Sequence, residues 1–160
     1  MKARLIVNPR SGTDSAPDAL EIINRLLRER VGMMEIVMTV GEGDAAAAAS
    51  RAVDDGVDHL FVGGGDGTLN EVLNGVASIP GGLGVVQFGV IPLGTGNDFA
   101  TALGIPDDVD RAIAQLFDAR SAPRALDVGK VNDRYFINVS AGGFIAEVSD
   151  AVISQLKTLT

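Results

Sequence analysis

The stretch FVGGGDGTLNEVLNGV, Phe61 to Val76, sets four glycines and one aspartate into the five positions Gly63 to Gly67, between an apolar run and a helix-period pattern. Glycines at a strand-to-helix turn let backbone N–H groups approach an anion, and the N-terminus of the following helix adds roughly half a positive charge. Phosphate is the ligand this arrangement suits. It is not a P-loop, because no Lys-Ser or Lys-Thr pair follows the glycines, and Thr68 stands where G-x-G-x-x-G needs its third glycine. Asp66 among phosphate-binding glycines raises the electrostatic cost unless a divalent cation or a lysine lies between carboxylate and phosphate, as at phosphoryl-transfer sites. A tight turn in which Asp66 or Thr68 caps the helix accounts for the same residues. On this loop alone both readings are open.

A second loop changes the balance. IPLGTGNDFA, Ile91 to Ala100, repeats the design: an apolar strand, Gly94 and Gly96 around Thr95, then Asn97 and Asp98 at a helix start. Two such loops at the carboxyl ends of parallel strands face the edge of the sheet where open α/β folds bind ligands. A third polar turn, Asn8-Pro9-Arg10-Ser11-Gly12, follows the first apolar run and offers Arg10, Ser11 and backbone donors at that edge. Three converging turns favour a nucleotide cleft. A weaker match, Gly41 to Ala46 as G-x-G-x-x-A, carries Glu42 and Asp44, which would repel a pyrophosphate; it reads better as an ordinary helix entry.

Composition removes several other chemistries. The formal charge of −8 disfavours a nucleic-acid partner, which needs basic surface to displace condensed counterions, and gives no general attraction to anionic lipid. The absence of cysteine excludes disulfides, thiol catalysis and cysteine-ligated zinc. His59 is the single histidine, so a histidine triad or multi-histidine metal site would have to be built around it, and its place at the start of an apolar run gives it a structural role. The run Leu5-Ile6-Val7 is too short for a signal peptide or a membrane span, which predicts a cytoplasmic protein.

The elements that must carry these loops alternate. Strands are expected over 4–8, 34–40, 59–63 and 88–93. Helices are expected over 18–30, 44–55, 68–76, after Asn97 to about Leu103, and over 110–116. In the first helix Leu20, Ile23, Leu26 and Leu27 share one face, with Arg25, Arg28 and Arg30 towards the other. Asp44 is a plausible N-cap for the second. Strand–helix alternation predicts a parallel sheet covered by helices. The rhythm then changes: two strand-like runs joined by Asn132-Asp133 look like an antiparallel hairpin, and a helix-like start follows Ser149 or Asp150.

Taken together, GGGDGTLNEV, PLGTGNDFA, NPRSG and LDVGKVNDRYFINVSAGGF resemble the diacylglycerol kinase catalytic domain family, in its bacterial soluble lipid-kinase branch related to sphingosine and ceramide kinases. The similarity runs from Arg4 to about Lys157, as one nucleotide-binding domain over 1–160. The resemblance implies a three-layer α/β fold with a mainly parallel sheet, as in NAD kinases and diacylglycerol kinases, and transfer of the ATP γ-phosphoryl to a lipid hydroxyl with magnesium. It implies nucleotide contacts from Asn8, Pro9, Arg10, Ser11, Gly12, Thr39 and Thr95. Gly64, Gly65, Asp66, Gly67, Thr68, Leu69, Asn70 and Glu71 would cradle the phosphates. Asp66 and Asp98 would be catalytic, holding a metal through water, and Asp127 matches a further family aspartate of structural role. Many bacterial members have a lysine where this chain has Thr13, leaving Lys2, Arg4 or Arg10 to compensate. Family members continue into a β-rich domain that holds the lipid acceptor at a membrane surface, supplies the base and lies beyond residue 160. Apolar surface around Phe136, Phe144 and Leu159 would then favour self-association. An NAD-kinase-like phosphotransferase and a non-catalytic ATP-binding module remain alternatives.

Overall fold

The computed structural model describes residues 1–12 and 16–138. In chain order the elements are β1 (Ala3–Val7), α1 (Ala16–Val31), β2 (Glu35–Met38), α2 (Asp44–Asp54), β3 (His59–Gly64), α3 (Asp66–Ala77), β4 (Gln87–Pro92), α4 (Asp98–Ala102), α5 (Val109–Leu116), β5 (Gly129–Val131) and β6 (Arg134–Phe136). The four longer strands form one sheet in the order β2-β1-β3-β4, every pair parallel, and β5 and β6 form a separate antiparallel pair. The expected α/β fold and its hairpin are both present. A 3-10 turn at Gly82–Gly84 had no sequence expectation.

Side chains alternate across the sheet because successive residues of a strand point to opposite faces. Ala3, Leu5 and Val7 of β1, Phe61 of β3 and Ile91 of β4 bury one face against Ile23 and Leu27 of α1 and Ile113 of α5. Ile6, Leu60, Val62 and Val90 bury the other against Ala45, Ala48, Ala49 and Ala52 of α2 and Leu69, Val72 and Val76 of α3. Two covered faces make three layers. They also explain why β1 is buried at all five positions and, Arg4 apart, reads as an apolar run. The alanine run of α2 does more than favour a helix. Small residues there let α3 approach closely, and a Cβ on Gly75 would meet the Ala46 carbonyl oxygen at 2.2 Å.

One residue of the β1 run is charged. Arg4, 6% exposed, donates to Glu35 Oε2 at 2.5 Å, Asp55 Oδ2 at 2.6 Å and the Ala48 carbonyl oxygen at 3.4 Å. A buried guanidinium is stable only when its N–H groups are satisfied and its charge is paired. The bond from Arg4 holds the Asp55 carboxyl below the usual aspartate range. A lowered folded-state value contributes stability that is present above the unfolded pKa and is lost as pH falls through the folded one. The melting temperature is therefore expected to hold from neutral pH to about pH 5 and to fall below about pH 4. Asp55→Asn should reduce that acid slope in thermal melts at stepped pH. An unchanged slope would show that the triad is not among its causes.

The β4 edge of the sheet is open. Among the described residues no strand pairs with the outer side of β4, and a groove of about 1000 Å³ runs there between Phe88, Leu103, Leu116, Phe117 and Leu126. No helix among them is long and apolar enough to cross a membrane. Phe136 is partly covered, its ring lying over Gly129 where a Cβ would come within 2.1 Å. Phe144, Leu159, Thr13 and the helix expected after Ser149 lie outside the described residues.

Candidate functional site

Every strand of the main sheet points its carboxyl end to the same edge, so the turns after β1, β2, β3 and β4 meet there. Chain direction changes across the sheet between β1 and β3, since β1 leads outward to β2 and β3 returns on its other side. Such a switch point leaves a crevice between neighbouring loops.

The loops after β3 and β4 touch backbone to backbone. A Cβ on Gly94 would lie 2.6 Å from the Gly65 Cα, so only glycine fits there, and one on Gly65 would lie 3.2 Å from the Gly94 Cα, a tight contact. Asn97 holds the second loop in shape. It is buried at 7% exposure in a left-handed conformation (φ 52°); its Oδ1 accepts from Gly94 N at 2.9 Å and its Nδ2 donates to Gly94 O at 2.7 Å. Thr95 and Gly96 are left exposed at the tip. The turn after β1 joins the same cluster: Asn8 N donates to Gly63 O, Asn8 Nδ2 donates to Thr68 Oγ1 at 3.3 Å, and Gly12 (φ 93°) lies against the Leu93 carbonyl.

Asp66 links the loops in a way its neighbours in sequence do not reveal. It opens α3 without capping it, since the N-cap Gly65 has no side-chain bond and Thr68 is engaged with Asn8. Instead its two carboxylate oxygens reach the start of α4, Oδ2 accepting from Asp98 N at 2.9 Å and Oδ1 from Phe99 N at 3.1 Å. The N-terminus of α3 is left uncapped by any side chain, and its first amides have no intrahelical acceptors. Above it, a Cβ on Gly67 would meet nothing within 4 Å. That is open space over free N–H donors.

The turn after β2 is different. Asp44, the first residue of α2 and not its cap, turns back to accept from Val40 N and Gly41 N, while Gly43 N donates to Glu71 Oε2 at 3.1 Å. The Val40, Gly41 and Gly43 amides are thereby engaged by carboxylates, and the negative charge of Asp44 and Glu71 in this turn opposes an anion there. Those two backbone bonds keep the Asp44 carboxyl below its ordinary range.

The site residues named from the sequence thus divide by position. Asn8, Pro9, Arg10, Ser11, Gly12, Gly64, Gly65, Asp66, Gly67, Thr95 and Asp98 come together around the loop cluster. Thr39 and Thr68 are buried beneath it, Leu69 packs in the core, and Glu71 ties α3 to the β2 turn. Asn70 Oδ1 is buried without a hydrogen-bond partner among the described residues. Lys2 and Arg4 sit at the opposite end of the sheet, engaged with Asp55, and His59 there contacts Asp58 at 2.7 Å. Of the cations named to compensate for Thr13, Arg10 alone stands at the loop edge, exposed. Asn97 was missed, although asparagine is, after glycine, the residue best able to take a left-handed conformation in a turn.

Among the described residues no group of three histidines, cysteines or acids could hold a metal by itself. Magnesium needs no such cage, because it keeps several waters and is bound by one or two carboxylates together with substrate phosphates. Exposed Asp98, whose backbone nitrogen rests on Asp66, fits that mode.

Comparison with known proteins agrees with this geometry. Residues 2–131 match the model of the diacylglycerol kinase catalytic domain. A diacylglycerol kinase of Staphylococcus carnosus (strain TM300) is 42% identical over 164 residues, covering 98% of this chain and 50% of that protein. One of Staphylococcus aureus (strain JH9) is 42% identical over 163 residues, 99% of this chain and 49% of the other. The crystal structure of a diacylglycerol kinase from Bacillus anthracis (strain Sterne) superposes with a TM-score of 0.75 at 32% identity, covering 86% of this chain and 46% of that one. The chain spans about half the length of the curated relatives it matches. The match of the family's model to residues 2–131, a span that includes both glycine loops, shows that the chain belongs to the diacylglycerol kinase catalytic domain family.

Proposed function

We propose that residues 1–160 are the nucleotide-binding half of a lipid kinase, which takes ATP with magnesium and presents its γ-phosphoryl to a lipid hydroxyl. The observation that carries this reading is the uncapped N-terminus of α3 beneath open space at Gly67, walled by the second glycine loop. Backbone amides there suit phosphate oxygens, and Thr95, Arg10 and Ser11 stand at the rim to meet the rest of the nucleotide. Magnesium, when bound, supplies charge neutralisation on the transferring phosphoryl group. Asp98 would hold it through water, beside Asp66. In the transfer the acceptor oxygen bonds to the γ-phosphorus, the bond to the β–γ bridging oxygen breaks, the hydroxyl proton passes to a base, and ADP leaves. The names of the relatives favour a lipid acceptor over NAD. Titration calorimetry with ATP, with and without magnesium, tests the reading: saturable binding strengthened by magnesium is expected, and absence of binding overturns it.

The two aspartates should separate in the same experiment. Asp98→Asn is expected to remove most of the magnesium contribution to affinity while leaving the melting temperature unchanged. Asp66→Asn replaces one acceptor oxygen by an NH2 group facing a backbone N–H, leaving a donor unpaired at a cost of about 1–2 kcal/mol. That is a loss of about 3–6 °C in melting temperature for a chain of this size, in addition to weaker binding. Equal melting temperatures for the two variants would contradict the role of Asp66 in holding α4.

A further inference from the structure

We propose that Asn74 is a positioning residue that fastens the β5–β6 hairpin to α3, so that the hairpin keeps a fixed place relative to the glycine loop at the start of that helix. The coupling to nucleotide rests on the function proposed above, whereas the fastening does not.

Asn74 lies 61 residues from Tyr135 in sequence. Its Nδ2 donates to Tyr135 O at 2.9 Å and to Asn70 O at 2.8 Å, and its Oδ1 accepts from Tyr135 N at 2.9 Å. A carboxamide carries the donor and acceptor of a peptide group, and the pair of bonds it exchanges with Tyr135 reproduces a hydrogen-bonded residue pair of an antiparallel ladder. β6 pairs with β5 along one edge, and Asn74 serves the other. The side chain therefore stands in for a third strand.

The hairpin needs it. Strands of three residues form a pair that is marginal by itself, and β5–β6 is separate from the main sheet. Apolar anchorage is limited to partly buried Ile137 on the core and the Phe136 ring over Gly129. A surface asparagine would use its amide on water. Here both amide hydrogens and the carbonyl oxygen are engaged, which is the pattern of a specific clamp. Alanine would strip Tyr135 of both partners, and aspartate would remove the donors and set a negative charge against two carbonyl oxygens.

What this positions follows from the helix. Gly67 and Asn74 are separated by two turns of one helix, about 10 Å of rigid rod. Whatever orders the amides at the start of α3 is transmitted to Tyr135 without an intervening loop.

Tyr135 is the chain's single tyrosine, so protein labelled only with 15N-tyrosine shows one backbone amide resonance, that of the group donating to Asn74. In the wild type its exchange with deuterated solvent is expected to be about tenfold slower than in Asn74→Ala or Asn74→Asp. Magnesium–ATP should shift this resonance in the wild type and leave it in place in Asn74→Ala, whose nucleotide affinity by calorimetry stays within about threefold. Equally fast exchange in wild type and Asn74→Ala overturns the clamp, and a wild-type resonance indifferent to nucleotide that calorimetry shows to be bound overturns the coupling to the glycine loop. Should calorimetry find no binding, the nucleotide reading fails and the exchange comparison alone decides for or against Asn74. If Asn74→Asp does not fold, exchange in the wild type and in Asn74→Ala still decides the question.

Discussion

Gly67→Val is expected to lower the affinity for magnesium–ATP about 100-fold, or about 2.7 kcal/mol, without destabilising the fold. Gly67 is in the first turn of α3, exposed, and outside the left-handed region, so valine introduces no backbone strain. Its side chain meets no protein atom within 4 Å of the new Cβ. Helix propensity even favours the change by a few tenths of a kcal/mol. The branched group instead occupies the space through which phosphate oxygens must reach the amides, and overfilling such a space costs about 1–3 kcal/mol. Gly94→Val makes the contrast. Its Cβ would stand 2.6 Å from Gly65 Cα and 2.8 Å from Asn97 Oδ1, so that variant should lose melting temperature and affinity together. Calorimetry and thermal melts on both proteins give the answer, and undiminished affinity in folded Gly67→Val would end the phosphate assignment.

The second large effect is on turnover. The polypeptide of residues 1–160 is expected to bind magnesium–ATP yet to phosphorylate lipid at a rate near background. Holding the acceptor oxygen in line with the γ-phosphorus and removing its proton with a placed base are worth several orders of magnitude in rate. Neither His59 nor Asp66 is placed to serve as that base. His59 lies at the far edge of the sheet, and Asp66 has both oxygens on the start of α4. The relatives matched here are about twice as long, and the further length is where we assign those tasks. Labelled ATP with magnesium and mixed diacylglycerol, sphingoid and phosphatidylglycerol acceptors would be supplied to this polypeptide, with the full-length Staphylococcus carnosus relative alongside. Vigorous phosphorylation by residues 1–160 alone would refute the division of labour.

The four strand–helix units were legible in the sequence because a strand covered on both faces must be apolar throughout and must end in turn residues. Boundaries shifted at the ends: β2 is confined to Glu35–Met38 although 34–40 reads as strand, and α1 begins at Ala16, ahead of the 18–30 pattern. The cluster of glycine turns was legible for the same reason, since parallel topology alone places them on one edge. The work of individual polar groups was not. Asp66 acts on amides 32 and 33 residues away, Asn74 on a strand 61 residues away, and Arg4 on carboxylates 31 and 51 residues away. No local pattern marks such partners. A charged residue inside an apolar run, as at Arg4, is the one visible sign that a nonlocal counter-ion must exist.

The place of β1 bears on how the protein is made. Of the four strands of the sheet the one synthesised before the others is interior, and its register with β3, Ala3 against His59 through Val7 against Gly63, cannot form until more than fifty residues have followed it. Until then β1 has only β2 to pair with, and its outer edge is an unpaired apolar ribbon for a chaperone to shield. The turn at Asn8 to Gly12 waits longer still, because Gly12 rests on the carbonyl of Leu93. The loop cluster is therefore completed late: a nascent chain that has not yet delivered β4 lacks the second glycine loop, and on the nucleotide reading proposed above only molecules whose sheet is complete present the whole pocket.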